Sequence, residues 1–200
     1  MSLLDKVISA VTPPQSDEQR QDAHQAARSL ARPGDWLSQI LDHHEAVEEA
    51  FARVRAAGDA QQRRAAQKWL GAVLNGHAMA EEAVIYPALA HVGEKASAES
   101  AYAEQVAAKQ QLAALDRLDP MSQDYLEKLG SLEGAVFHHV YEEEHLWFPK
   151  LKQTAPPADQ EIIAQRYREE FERYMGPDIA RVGHSSDGLP PAGAGGRETI

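Results

Sequence analysis

His77-Ala-Met-Ala-Glu81-Glu82-Ala-Val-Ile-Tyr86-Pro87 is a pattern that this chain writes twice. The second copy, His139-Val-Tyr-Glu-Glu143-Glu144-His-Leu-Trp-Phe148-Pro149, follows 62 residues later at every shared position: His, Glu-Glu and aromatic-Pro. A histidine and a carboxylate four apart lie on one face of a helix, one turn from each other. Two such helices that face each other can grip a metal pair inside a bundle.

Outward from the repeat, the chain is rich in Ala, Leu, Glu, Gln and Arg and lacks β-branched runs, which favours helix throughout. Pro33-Gly34-Asp35 marks a helix start with Asp35 as N-cap. Bundle helices are expected at about 36 to 57, 59 to 91, 97 to 118 and 122 to 153, with a fifth helix at about 158 to 175. Four long helices with short connections predict an all-α, antiparallel up-down-up-down four-helix bundle. The expected division is an N-terminal extension (1–34, partly helical), the metal-binding bundle (35–153), an additional C-terminal helix (154–182) and a flexible tail (183–200) rich in Gly, Pro and Ser. Leu3, Leu4, Val7, Ile8 and Val11 form a short apolar stripe, read as a docking helix or dimer contact. Pro87 and Pro149 are expected to kink their helices or loosen the last turn, and the aromatic before each to close the end of the core.

A bundle seam alternates steps of three and four. On the second helix it runs Leu70, Leu74, His77, Glu81, Val84, Ala88; on the fourth, Leu132, Val136, His139, Glu143, Leu146, Lys150. In both, His and Glu take places that packing alone would give to Leu. An unpaired buried carboxylate costs several kcal/mol, which a divalent cation compensates. The first helix offers Leu37, Ile40, His44, Val47, Phe51 and Val54, so His44 points inward and His43 lies about 100° away. The same test prefers His139 to His138. The third helix has no histidine; its seam, Ala98, Ala101, Gln105, Ala108, Leu112, Leu115, has Gln105 as its polar member. Gln105 or the neighbouring Tyr102 could coordinate or hydrogen-bond a metal-bound water. His43 and His138 remain candidates for an additional ligand or for a partner of one. Glu82, Glu142 and Glu144 read as a solvated acidic face, and His24, His91 and His184 as surface residues. Three imidazoles and two carboxylates suit iron, with manganese or zinc less favoured.

Composition narrows the partners. A formal net charge of −11 argues against nucleic acid and anionic membranes. With no cysteine, any metal must be held by nitrogen and oxygen. No apolar run approaches the roughly 20 residues of a membrane span, and the first residues lack the features of a signal peptide. A cytoplasmic location is the default expectation. Nothing in the sequence specifies an oligomeric state.

His44 in Asp42-His43-His44-Glu45-Ala46-Val47, together with the doubled H-x-x-x-E-E and its aromatic-Pro pair, resembles the hemerythrin-like proteins of the HHE cation-binding domain family, over about residues 35 to 153. The resemblance implies a four-helix bundle around two iron ions bridged by oxo or hydroxo and carboxylate groups, with His44, His77, Glu81, His139 and Glu143 as metal ligands. Oxygen-carrying hemerythrins place two histidines on the third helix; this chain offers Gln105 there. That departure argues against a reversible oxygen carrier and for a centre that binds or reacts with peroxide, O2 or NO. The alternatives are an iron buffer or an O2, NO or iron sensor without catalysis, and a metal-free structural bundle.

Overall fold

Helices begin where the chain supplies a side chain for the free N–H groups of the first turn. The computed structural model describes residues 15–176. Ser16 opens α1 (Asp17–Leu30) with a capping box shared with Gln19. Asp35 caps α2 (Trp36–Ala56), accepting from the Ser38 N–H. Asp59 caps α3 by accepting from Gln62. This helix runs as Ala60–Ala80, a π turn Glu81–Ile85, and Tyr86–His91 in unbroken succession. After Gly93, whose positive φ of 100° suits a residue without a Cβ, comes α4 (Lys95–Leu115). Ser122 caps α5, again continuous: Gln123–Glu142, a π turn Glu143–Trp147, and Phe148–Thr154. Pro157 sits at the first position of α6 (Pro157–Met175), where its missing N–H costs nothing. The expected apolar stripe from Met1 to Val11, the tail from Gly183 and His184 lie outside the described residues.

The four helices α2 to α5 form the expected antiparallel bundle: α2 packs on α3, α3 on α4, α4 on α5, and α5 returns to α2. The two copies of the motif therefore lie on diagonal helices. Both flanking helices are integral. Helix α1 lies over α2 and the π turn of α5, and α6 lies along α2 and α3. Among the described residues no helix is long and apolar enough to cross a membrane.

All six seam residues of α2 are buried. On α5 the seam holds up to Glu143 and then slips; on α3, where Leu74 is half-buried, it runs one step further, to the buried Val84. Tyr86 N–H bonds to the Glu81 carbonyl and Phe148 N–H to the Glu143 carbonyl, each five residues back rather than four. Proline is the cause. Pro87 and Pro149 bring no N–H, and their rings would strike the carbonyl four residues earlier in a regular α-helix. The wider turn inserts a residue and relieves both problems. Register moves with it. Leu146, expected in the seam, is 52% exposed, and Lys150 is also exposed, whereas Trp147, Phe148 and Leu151 are buried. On α3, Ile85, Tyr86 and Leu89 are buried and Ala88 only partly so.

At the far end of the bundle, buried Arg63 ties the connections together. Its guanidinium donates to the carbonyls of Val54 (3.2 Å), Ala57 (2.7 Å) and Pro120 (2.9 Å). Replacement by Leu leaves these carbonyls unserved and is expected to lower stability by about 3 kcal/mol, measured by urea denaturation of the metal-free protein; a loss below about 0.5 kcal/mol contradicts this role.

Candidate metal centre

Six polar side chains meet near the π turns. His44 enters from α2, His77 and Glu81 from α3, Gln105 from α4, His139 and Glu143 from α5, all buried, with both glutamates at zero exposure. One nitrogen or oxygen from each of His44, His77, Glu81 and Glu143 falls within 4.8 Å of the others. The two carboxylates divide the space between them. Glu81 Oε2 is 3.1 Å from His77 Nε2, while Oε1 faces His44 Nε2 at 3.9 Å. Glu143 Oε1 is 3.3 Å from His139 Nε2, and Oε2 is 3.4 Å from His44 Nε2. Each carboxylate thus presents one oxygen toward His44 and the other away from it, the disposition of a bridging group.

Tyr86 is the residue that helical periodicity hides. In an α-helix the fifth residue on from Glu81 lies about 140° round. The π turn brings it back above Glu81. Its hydroxyl is 3.1 Å from Glu81 Oε2, Glu143 Oε1 and His139 Nε2, and Gln105 Nε2 donates to it at 3.0 Å. The aromatic expected to close the end of the core is buried and is also a polar member of the site. In the second copy, Phe148 uses the same turn to stack its ring on His44, with centroids 6.1 Å apart.

Outer contacts fix the imidazoles. His44 Nδ1 donates to Glu144 (2.7 Å) and His139 Nδ1 to Glu104 (2.6 Å), while His77 Nδ1 faces the Tyr167 hydroxyl (3.3 Å). Glu144 was expected on a solvated face. It is buried because α1 covers it, and His24 of that helix, expected at the surface, bonds it at 2.9 Å. Glu82, its counterpart in the first copy, lies where α4 passes and pairs with Lys109 at 2.6 Å. Tyr102 stays outside the centre: it is 39% exposed and donates to the Glu82 carbonyl at 2.6 Å. His43 lies beside Tyr167 (2.8 Å) and Phe171, and His138 beside Gln15 (3.0 Å). Neither is in the converging group.

Without an ion, protons hold these groups together. Burial acts to lower His44, but the neighbouring carboxylates of Glu143 and Glu144 outweigh it and raise the group to about 10. Burial likewise opposes a charged His139, and Glu143 and Glu104 hold it well above the ordinary range. Burial, then the charge of His44, keeps His77 well down. Burial, then the charge of Glu143, pushes Glu81 well up, whereas the cationic histidines outweigh burial and hold Glu143 low. Even so, His44 Nε2, Glu81 Oε1 and Glu143 Oε2 are buried with no hydrogen-bond partner. Such atoms are rare in native interiors and call for an unseen partner. Two oxygens and an imidazole nitrogen facing one point fit a hard or borderline cation.

Cation uptake must displace the proton on His44 Nε2. Lowering the pH toward neutrality from about 10 strengthens that proton's hold, so apparent metal affinity is expected to rise from about pH 6 to 8, by about tenfold per unit for each proton displaced. Competition with a chelator of known affinity measures it, and an affinity independent of pH contradicts this assignment.

The sequence model of the hemerythrin HHE cation binding domain matches residues 36–151. Among solved structures, a hemerythrin HHE cation binding domain-containing protein from Mycobacterium kansasii is similar with a TM-score of 0.64 at 21% identity, over 74% of this chain and 91% of that one. At such identity the likeness speaks for the fold. No curated protein matches the chain. The buried His/Glu group suits metal binding, the property for which the family is described. With more than half of its length matched, the chain belongs to the hemerythrin HHE cation binding domain family.

Proposed function

We propose that this protein holds two iron ions between α2, α3, α4 and α5, and that it binds or reacts with a small oxidant or diatomic: peroxide, O2 or NO. The observation that carries the reading is the pair of bridging-capable carboxylates, each with one orphaned buried oxygen turned toward His44 and the other among His77, His139, Gln105 and Tyr86. His44, His77, Glu81, His139 and Glu143 are the ligands in this proposal. A purely structural bundle would leave His44 Nε2, Glu81 Oε1 and Glu143 Oε2 unserved, at about 1–3 kcal/mol or more apiece.

Iron, when bound, supplies one-electron redox chemistry and open positions for an exogenous ligand. The chain supplies the rest. Mixed imidazole and carboxylate donors without thiolate suit iron better than a soft metal. Gln105 lies on the third bundle helix, where oxygen-carrying hemerythrins place two histidines. Its Nε2 lies 3.3 Å from His139 Nε2 and 3.0 Å from the Tyr86 hydroxyl, so it is placed to donate to a small ligand rather than to fill a coordination position firmly. Beside these groups is a cavity of about 20 Å3, lined by Val47, Leu74, His77, Gln105, Val136 and His139. It has room for about one water-sized molecule. Its wall is mainly aliphatic; nearby, burial and the charges of Glu143 and Glu81 keep the Tyr86 hydroxyl protonated.

Iron quantification, with optical spectra of reduced, aerobic and peroxide-treated protein, tests the reading. About two irons per chain and a band that changes with oxidant are expected. His77→Ala and His139→Ala are each expected to lose iron and to lower peroxide consumption by at least about tenfold. Purified protein without metal, unaffected in stability by chelator, contradicts the proposal; iron held without peroxide turnover leaves diatomic binding as the function. Tyr86→Phe preserves the ring and removes the hydroxyl, and is expected to retain iron but alter the oxidant-dependent band. An unchanged spectrum removes Tyr86 from the centre.

A further inference from the structure

We propose that Tyr167 is a positioning residue for His77, and that α6, which lies beyond the matched family domain, thereby acts as a clasp on the metal centre. The proposal rests on the reading that His77 Nε2 takes a metal ion. An imidazole that gives one nitrogen to a metal carries its proton on the other, and an acceptor for that proton fixes the ring's orientation. For His44 and His139 the acceptors are carboxylates of the bundle, Glu144 and Glu104. For His77 the acceptor facing Nδ1 is the Tyr167 hydroxyl at 3.3 Å.

Direction in this contact is set from behind. The Tyr167 hydroxyl also lies 2.8 Å from His43 Nδ1. With His77 donating from Nδ1, the phenol donates its own hydrogen bond to His43 Nδ1, giving a chain from His77 through Tyr167 to His43 in which each group has one assigned role. The His43 ring is fixed in turn: it stacks on Phe171 at 3.7 Å and on Tyr167 at 5.5 Å between centroids. Tyr167 is fully buried, and a phenol is neutral at ordinary pH. His77 is therefore backed by a neutral group, where the other two histidines are backed by carboxylates. It stays a neutral ligand, and its hold on a metal depends more on ring placement than on added basicity.

Helix α6 does not rely on this hydroxyl for docking. Ile163, Phe171 and Met175 are buried, and Gln39 Nε2 donates to the Ala164 carbonyl at 3.4 Å. Next to His77, Gly76 lets α6 come so close that an added Cβ would lie 2.8 Å from Met175 Cγ. Removal of one phenolic oxygen thus leaves the helix in place and unties only the two histidines it joins, His77 and His43.

The test uses the full-length chain loaded with ferrous iron. Tyr167→Phe is expected to speed iron release to excess ferrous chelator by about tenfold or more. The optical bands of the cobalt(II)-substituted protein are expected to shift, and the melting temperature of the metal-free protein to stay within about 3 °C of wild type. His43→Phe, which keeps a stacked ring but removes Nδ1, is expected to speed release in the same direction by a smaller factor. Release at the wild-type rate in Tyr167→Phe, or release that rises only in step with lost metal-free stability and without a spectral change, overturns the proposal. A wild-type chain that takes up no metal overturns the metal reading first and this one with it.

Discussion

Two carboxylates sealed from water, Glu81 and Glu143, are the constraint around which the rest of the molecule is arranged. Burial of one such group is costly, and burial of two side by side is costlier because their charges repel. The chain meets that cost with three imidazoles, a phenol and an amide drawn from four helices. Unpartnered atoms remain at the middle of the group. Aliphatic packing could have filled the same volume more stably. The retained polarity is accounted for by what it can hold.

The two π turns give this centre its shape. Each begins at a ligand-candidate glutamate and ends just before an aromatic-proline pair, and each lifts that aromatic side chain over the glutamate. The sequence repeat makes the turns alike, but their surroundings make the results differ. Tyr86 brings a hydroxyl to the side of Gln105 and His139, and Phe148 brings an apolar ring to the side of His44. The second glutamate of each pair diverges in the same way: Glu144 lies beneath α1 and bonds to His44, whereas Glu82 reaches Lys109 near the surface. Identical letters in a repeat thus acquire different work from the helix that happens to cover them.

Much of the architecture was legible from local chemistry. Asp35 announces its helix as an N-cap, and the expected starts near Asp59 and Ser122 coincide with caps in the structure, because a capping side chain acts within a few residues. The inward placement of His44, His77, Glu81, His139, Glu143 and Gln105 followed from the 3.6-residue period, because each precedes a π turn or lies on a regular helix. Legibility ended where that period did. Leu146 and Lys150 were assigned to a seam that slips at Pro149, and Tyr86 was expected only to close the end of the core, because regular geometry does not bring its hydroxyl over Glu81. The prolines were the available signal, since a proline deep in a helix forces some change of turn. Tyr167, Glu104, Glu144 and His24 act through tertiary contacts between distant segments, which no local pattern encodes. Tyr102, a candidate because of its nearness to Gln105, sits about 60° round α4 from it, and its hydroxyl is taken by the Glu82 carbonyl at the edge of the bundle.

Anomalous X-ray diffraction at the iron edge, from crystals of the iron-loaded protein, tests the central claim most directly. The expected result is two peaks inside the bundle, each in contact with both Glu81 and Glu143, one beside His44 and the other beside His139. A single peak that leaves one of these histidines without metal contradicts the two-ion account. Peaks confined to the acidic surface, with the six buried side chains unmoved and unoccupied, contradict the assignment of the centre itself.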